Sequence, residues 1–202
     1  MGANPGERVK LPPLILASAS PRRSELLRQL SAEFQIVPGA AREVHDDQLT
    51  AWEMAQVNAY RKARAVAKRF PDALVLAADT LVYLDQEAKL FGKPADLEHA
   101  FTMLKQLASR THAVITGVCL LRLREHRQRV FAEWTDVKFH PLTARQIKEY
   151  LALVNPLDKA GAYAIQEQGE QIVEKISGSY TNVVGLPLER LQEELGQWTD
   201  GG

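Results

Sequence analysis

Apolar residues fall along this chain in two rhythms, short unbroken runs and longer stretches with a helical period. Leu14 to Ala17 is a run of the first kind, bounded as a buried strand is. It breaks at a Ser-rich turn, and Ser20-Pro21 reads as an N-cap with proline at the first helical position. The helix that follows carries Leu26, Leu27 and Leu30 on one face. Phe34 to Val37 is a strand ended by Pro38-Gly39, and a polar loop follows, Arg42 to Asp47. Thr50 to Glu53 forms a capping box that opens a long Ala-rich, basic helix running to about Arg69 and stopped by Pro71.

Leu74 to Ala78 is continuously apolar, which predicts a strand covered on both faces and ending at Asp79-Thr80. Leu81 to Leu84 resumes a β-rich pattern, Asp85 to Leu90 reads as a turn, and Gly92-Lys93-Pro94 as a loop. Asp96 caps a helix bearing Leu97, Phe101, Leu104 and Leu107. Two long strands come next, about 112–123 and 129–139, around a hairpin loop at Glu125 to Gln128. Thr143 to Gln146 is a second capping box, and its helix places Ile147, Tyr150, Leu151 and Val154 on one face before Asn155-Pro156 stops it. A strand near Ile172 to Ile176, a turn at Ser177-Gly178-Ser179 and a last helix from Pro187 complete the chain, the helix turning Leu188, Leu191, Leu195 and Trp198 inward. This order of elements predicts an α/β fold with a mixed sheet, forming one domain over residues 1–202, of which 1–11 are a loose leader.

Composition narrows the functional classes. Lys+Arg and Asp+Glu are both 25 in 202 residues, so the formal net charge is zero. That argues against bulk electrostatic binding to nucleic acid or to an anionic membrane. No apolar stretch reaches the length of a membrane span, and Pro12-Pro13 interrupts the only run resembling a signal peptide, so a cytoplasmic location is expected. The single cysteine, Cys119, lies in an apolar run and reads as a buried inert thiol.

The candidate chemistry is anionic-ligand chemistry. Arg22 and Arg23 occupy a first helical turn, where the macrodipole disfavours cations by about 0.3–1 kcal/mol each. A phosphate between them would explain the placement; solvation, or pairing with surface carboxylates, explains it equally well. Asp79, read as the end of a buried strand, stands where open α/β sheets place ligands, or else is a turn residue. Lys93 and Lys62 suit phosphate charge or the surface, Glu43 sits in a polar loop, and the Gln166 amide can read a base edge or cap a sheet edge. There is no P-loop, no G-x-G-x-x-G and no histidine ligand spacing. Any metal is therefore expected to be hard and oxygen-bound, Mg²⁺ or Mn²⁺, and carried largely by substrate phosphates.

Taken in order, several blocks resemble the Maf family of nucleoside triphosphate pyrophosphatases over roughly residues 14–195. They are Ser18-x-Ser20-Pro21-Arg22-Arg23, Phe34 followed by Glu43, Ala59-x-x-Lys62-Ala63, Ala78-Asp79-Thr80, Gly92-Lys93-Pro94 and His112-x-Val114-x-Thr116-Gly117. Asp158 to Tyr163 and Val184 to Leu188 complete the set. The resemblance implies a two-lobed α/β fold, a mixed sheet flanked by helices with a central nucleotide cleft, related to the inosine-triphosphate pyrophosphatases. It implies hydrolysis of a nucleoside triphosphate to monophosphate and pyrophosphate with a divalent cation, and a homodimer is common among such folds. On the matching positions, Asp79 would accept the proton of the attacking water. Ser20, Arg22, Arg23, Lys62 and Lys93 would hold the triphosphate, and Glu43 would bind metal or orient water. Arg22, Thr80 and Gln166 match the dTTP/UTP-specific members, so those nucleotides, and modified pyrimidines with them, are the expected substrates of a housecleaning enzyme.

The chain departs from the family pattern at Arg42, where many members carry an acid, and at Ala164 and Glu167, where glycines are common around Gln166. The first departure bears on the metal shell and the second on the base pocket. The competing expectation is a nucleotide-sensing regulator of septum formation that binds without turnover.

Overall fold

The structure, a computed structural model, describes residues 12–198, so the expected leader at 1–11 lies outside the described residues. A seven-stranded mixed sheet runs through it. In chain order the strands are β1 (Leu14–Leu16), β2 (Phe34–Ile36), β3 (Leu74–Leu84), β4 (Lys89–Phe91), β5 (Thr111–Arg122), β6 (Arg127–Phe139) and β7 (Val173–Ser177). The helices are α1 (Pro21–Gln29), α2 (Ala51–Ala67), α3 (Leu97–Leu107), α4 (Ala144–Leu153), α5 (Tyr180–Val184) and α6 (Leu188–Leu195). The spatial order is β2-β1-β3-β5-β6-β7, with β4 added to the far end of β3. β1 pairs in parallel with β2 and β3, while the remaining ladders are antiparallel. No helix among the described residues is long and apolar enough to cross a membrane.

The expected break at Asp79-Thr80 does not occur. β3 is one 11-residue strand, because β5 pairs with it without interruption from Val75 to Tyr83. What changes at Asp79 is the other edge. β1 is in register with β3 only as far as Leu76, and β4 joins only at Val82. Between them β3 has a strand neighbour on the β5 side alone, among the described residues, and the sheet opens into a notch.

Side-chain alternation along β3 builds the layers around that notch. Leu74, Leu76 and Ala78 face α1 and α6, packing with Leu27 and Leu191. Val82 and Leu84 project to the same side but join α3 and α4 in a separate cluster with Leu104 and Tyr150. Thr80 stands between these two apolar clusters, so one face of a continuous strand serves two lobes. The opposite face, Val75, Ala77 and Leu81, lies under α2.

α2 meets the sheet through alanines at every fourth position, Ala51 to Ala67, a stripe narrow enough for close approach. Its expected capping box is present: Thr50 Oγ1 accepts from the Glu53 N–H at 3.2 Å, and the Glu53 carboxylate accepts from the Thr50 N–H at 2.9 Å. Thr50→Ala is expected to cost about 1 kcal/mol, seen as a Tm lower by about 2–4 °C in a thermal melt. The expected capping box at Thr143 and the Asp96 cap are also formed. Cys119 is fully buried on β5, and burial pushes its thiol up to about 12, so it carries no thiolate at neutral pH.

Candidate active site

The notch in the sheet leads into a cleft of about 320 Å³. Because the sheet is open there, side chains from both faces of β3 reach one space: Asp79 from the α2 face and Thr80 from the other. Every residue singled out in the sequence lines this cleft, namely Ser20, Arg22, Arg23, Glu43, Lys62, Asp79, Thr80, Lys93 and Gln166.

Its floor on the α2 side is a chain of charges. Asp79 is 3% exposed. Lys62 Nζ donates to Asp79 Oδ1 at 2.5 Å and to Glu43 Oε1 at 2.8 Å, so one ammonium joins a buried carboxylate to an exposed one. Burial raises the Glu43 pKa, but the hydrogen bond and charge of Lys62, with the charges of Lys93 and His45, outweigh it and hold the carboxyl below its usual range. Asp79 Oδ2 is engaged separately, accepting from Asn58 Nδ2 at 3.2 Å.

The two arginines part company. Arg22 reaches across the cleft to Asp158, Nη1 to Oδ2 at 3.0 Å. Arg23 turns inward, donating through Nε to the Gly185 carbonyl and through Nη2 to Thr80 Oγ1, both at 2.9 Å, and through Nη1 to Ser18 Oγ at 3.3 Å. Thr80 Oγ1 lies 3.0 Å from Thr116 Oγ1. Gly185 has φ +124°, a conformation that L side chains rarely adopt, and this turn presents its carbonyl to Arg23. Here the carboxylate-pairing explanation describes Arg22, whereas Arg23 is bound by carbonyl and hydroxyl oxygens. The entrance of α1 is nonetheless suited to anions: Ser20 makes no side-chain cap and the first turn holds no acid.

Several residues in and around the cleft carried no assigned role in the sequence, although Asp158, Lys159 and Tyr163 stand in one of the matching blocks. Lys159, 5% exposed, donates from Nζ to the Asn155 carbonyl at 2.6 Å and to Asp158 Oδ1 at 2.9 Å. Burial raises the Asp158 carboxyl, yet its hydrogen bonds from Lys159 and Arg22 prevail and lower it. Tyr163 closes the far wall, its hydroxyl 2.9 Å from His112 Nε2 and its ring edge-on to Phe139 at 4.9 Å. Burial drives the His112 pKa down to about 3, so the imidazole is neutral at physiological pH. Asn58 was missed as well, although an asparagine on the alanine face of α2, four residues before Lys62, is a readable anomaly.

Glu43 and Asp79 fit a hard divalent cation. Both carboxylates come within reach of a single ammonium, and among the described residues no cluster of three His, Cys, Asp or Glu side chains forms a full protein cage. Such a pair leaves the remaining oxygen positions to phosphates and water, the usual arrangement for Mg²⁺.

Residues 13–198 match the family described as Maf-like protein. The curated dTTP/UTP pyrophosphatase of Carboxydothermus hydrogenoformans is 46% identical over 186 residues, covering 92% of this chain and 98% of that protein. The dTTP/UTP pyrophosphatase of Symbiobacterium thermophilum is 48% identical over 187 residues, covering 92% and 93%. Among solved structures, a HAM1 protein from Coxiella burnetii superposes with TM-score 0.51 at 14% identity, covering 93% of this chain and 100% of that one. That last likeness bears on the fold alone, a mixed α/β architecture shared over nearly the whole chain.

Proposed function

The chain belongs to the Maf family, and on that premise we propose that its cleft hydrolyses dTTP and UTP to the monophosphate and pyrophosphate. The observation that carries this reading is the buried carboxylate of Asp79 sharing one cleft with Arg22, Lys62 and Lys93. A triphosphate is the ligand class that needs several cations; hydrolysis at its α-phosphorus needs a base beside them.

Water adds to the α-phosphorus, the bond from that phosphorus to the α,β-bridging oxygen breaks, and pyrophosphate leaves with the electron pair. Asp79 takes the proton of the water as the new P–O bond forms. Arg22 and Lys93 neutralise the phosphate oxygens, and Lys62 lies between those oxygens and the base. Ser20 and the free N–H groups of α1 add neutral donors. Glu43 and Asp79 would hold a Mg²⁺ or Mn²⁺ ion, which when bound would supply Lewis-acid polarisation of the phosphoryl oxygens. Thr80 and Gln166 line the same cleft, Thr80 held in place by Arg23, and are assigned to contact the nucleoside.

Pyrophosphate release from a panel of nucleoside triphosphates, with Mg²⁺ or Mn²⁺, tests the proposal. dTTP and UTP are expected to be turned over faster than the purine nucleotides. Turnover of a different nucleotide would keep the chemistry and overturn the roles given to Arg22, Thr80 and Gln166. Tight binding with no turnover would favour a nucleotide sensor instead.

A further inference from the structure

Asn58 is 1% exposed, on a face of α2 otherwise made of alanine, methionine and valine. A carboxamide buried there costs stability unless its donors and acceptor are met. They are met by the working parts of the cleft. Nδ2 donates to Asp79 Oδ2 at 3.2 Å and to the Val44 carbonyl at 3.3 Å, and Oδ1 accepts the Val44 N–H at 2.7 Å. Val44 is the neighbour of Glu43. Over residues 38–45, the hydrogen bonds to the rest of the described residues run through Val44–Asn58 and Glu43–Lys62.

Resting on the pyrophosphatase reading, we propose that Asn58 is a positioning residue that locks Asp79 and the Glu43 loop into one fixed geometry. Lys62 makes the same connection through its ammonium, but on a flexible four-carbon stem. When phosphates enter the cleft they compete for that ammonium, and Asp79 and Glu43 then lose a shared partner. Asn58 is shorter, uncharged and buried, so the phosphates do not draw it away. It keeps one oxygen of the base and the backbone of the loop in place through the step at which Lys62 turns to substrate.

The test compares Asn58→Leu, which keeps the branched shape and removes all three bonds, with Asn58→Asp, which keeps an acceptor for the Val44 N–H and removes the donor to Asp79. Four quantities are read in each: kcat and KM for UTP with Mg²⁺, affinity for the non-hydrolysable α,β-methylene analogue of UTP, and hydrogen exchange of the Val44 amide. Asn58→Leu is expected to lower kcat by about 10–100-fold, with KM and analogue affinity changed far less, and to speed Val44 exchange. Asn58→Asp is expected to lose kcat while Val44 stays protected. A folded Asn58→Leu protein with wild-type kcat and unchanged Val44 exchange overturns the proposal. If Asn58→Leu does not fold, Asn58→Asp decides: lowered kcat with a protected Val44 supports the clamp, and wild-type kcat overturns it. Absence of turnover by the wild-type protein with every nucleotide would instead defeat the pyrophosphatase reading. Val44 exchange in Asn58→Leu would still judge the clamp: an unchanged rate overturns it, a faster rate supports it.

Discussion

Asp79→Asn is expected to lower kcat for dTTP and UTP by about 10²–10⁴-fold while nucleotide affinity stays near that of the wild type. The amide keeps the shape of the carboxylate but cannot take a proton from water attacking the α-phosphorus. The site also constrains how the amide can sit. Both oxygens of Asp79 accept, Oδ1 from Lys62 and Oδ2 from Asn58. An asparagine must turn its NH₂ group toward one of these donors, leaving a donor facing a donor in a buried place. That mismatch costs about 1–3 kcal/mol, so the variant should also melt several degrees lower. Lys62 keeps Glu43 as a partner at 2.8 Å, and for that reason the cleft should remain assembled. Pyrophosphate release and analogue binding, measured on the same preparation below its Tm, separate the two effects. Loss of binding together with turnover would move Asp79 to a structural role, and unchanged kcat would put the base elsewhere.

Local signals carried much of the fold. Thr50, Asp96 and Thr143 each mark a helix start that is formed as expected, because a side-chain cap is decided within three residues of itself. Asp79 shows where local reasoning stops. Its polar neighbour Thr80 reads as the end of a strand, yet strand continuity is set by β5, which lies more than thirty residues further along. α5 was unforeseen because it is five residues long and its Ser179 cap sits inside what reads as a turn. The cleft residues were given roles by their resemblance to a family motif, whereas their partners, even those inside a matching block, were not. Asn58, Asp158, Lys159 and Tyr163 become informative only when distant segments meet. The divergence of Arg22 from Arg23 is likewise invisible in a dipeptide: it depends on Asp158 and Gly185, which arrive from the far end of the chain.

Gly117→Ala is expected to be the most damaging single-methyl change in the described residues that touches no ligand-facing side chain. Gly117 sits on β5 directly opposite Asp79 in the ladder, on the face covered by α2. A Cβ there would lie 2.2 Å from the Ala55 carbonyl oxygen and 2.6 Å from the Gln56 nitrogen, both backbone atoms of α2. No side chain can rotate to make room, so the helix itself must lift. The alanine stripe that seats α2 on the sheet then separates from Val75, Ala77 and Leu81, and the cost should reach at least about 3 kcal/mol, or a Tm lower by about 6–12 °C. The same displacement reaches the chemistry. Asn58 lies one turn beyond Ala55 on α2 and Lys62 a further turn on, so both move off Asp79 as the helix lifts. The variant should therefore lose turnover at temperatures where it is still folded, which destabilisation alone would not produce. Gly196→Ala is the matched control, since a Cβ at that position meets nothing within 4 Å. Thermal melts of both variants, with kcat measured well below each Tm, test the claim. A Gly117→Ala protein that melts with the wild type would show that α2 is not seated against β5 as closely as this account requires. One that melts early but keeps full kcat would show that the approach of α2 matters for stability and not for holding the base.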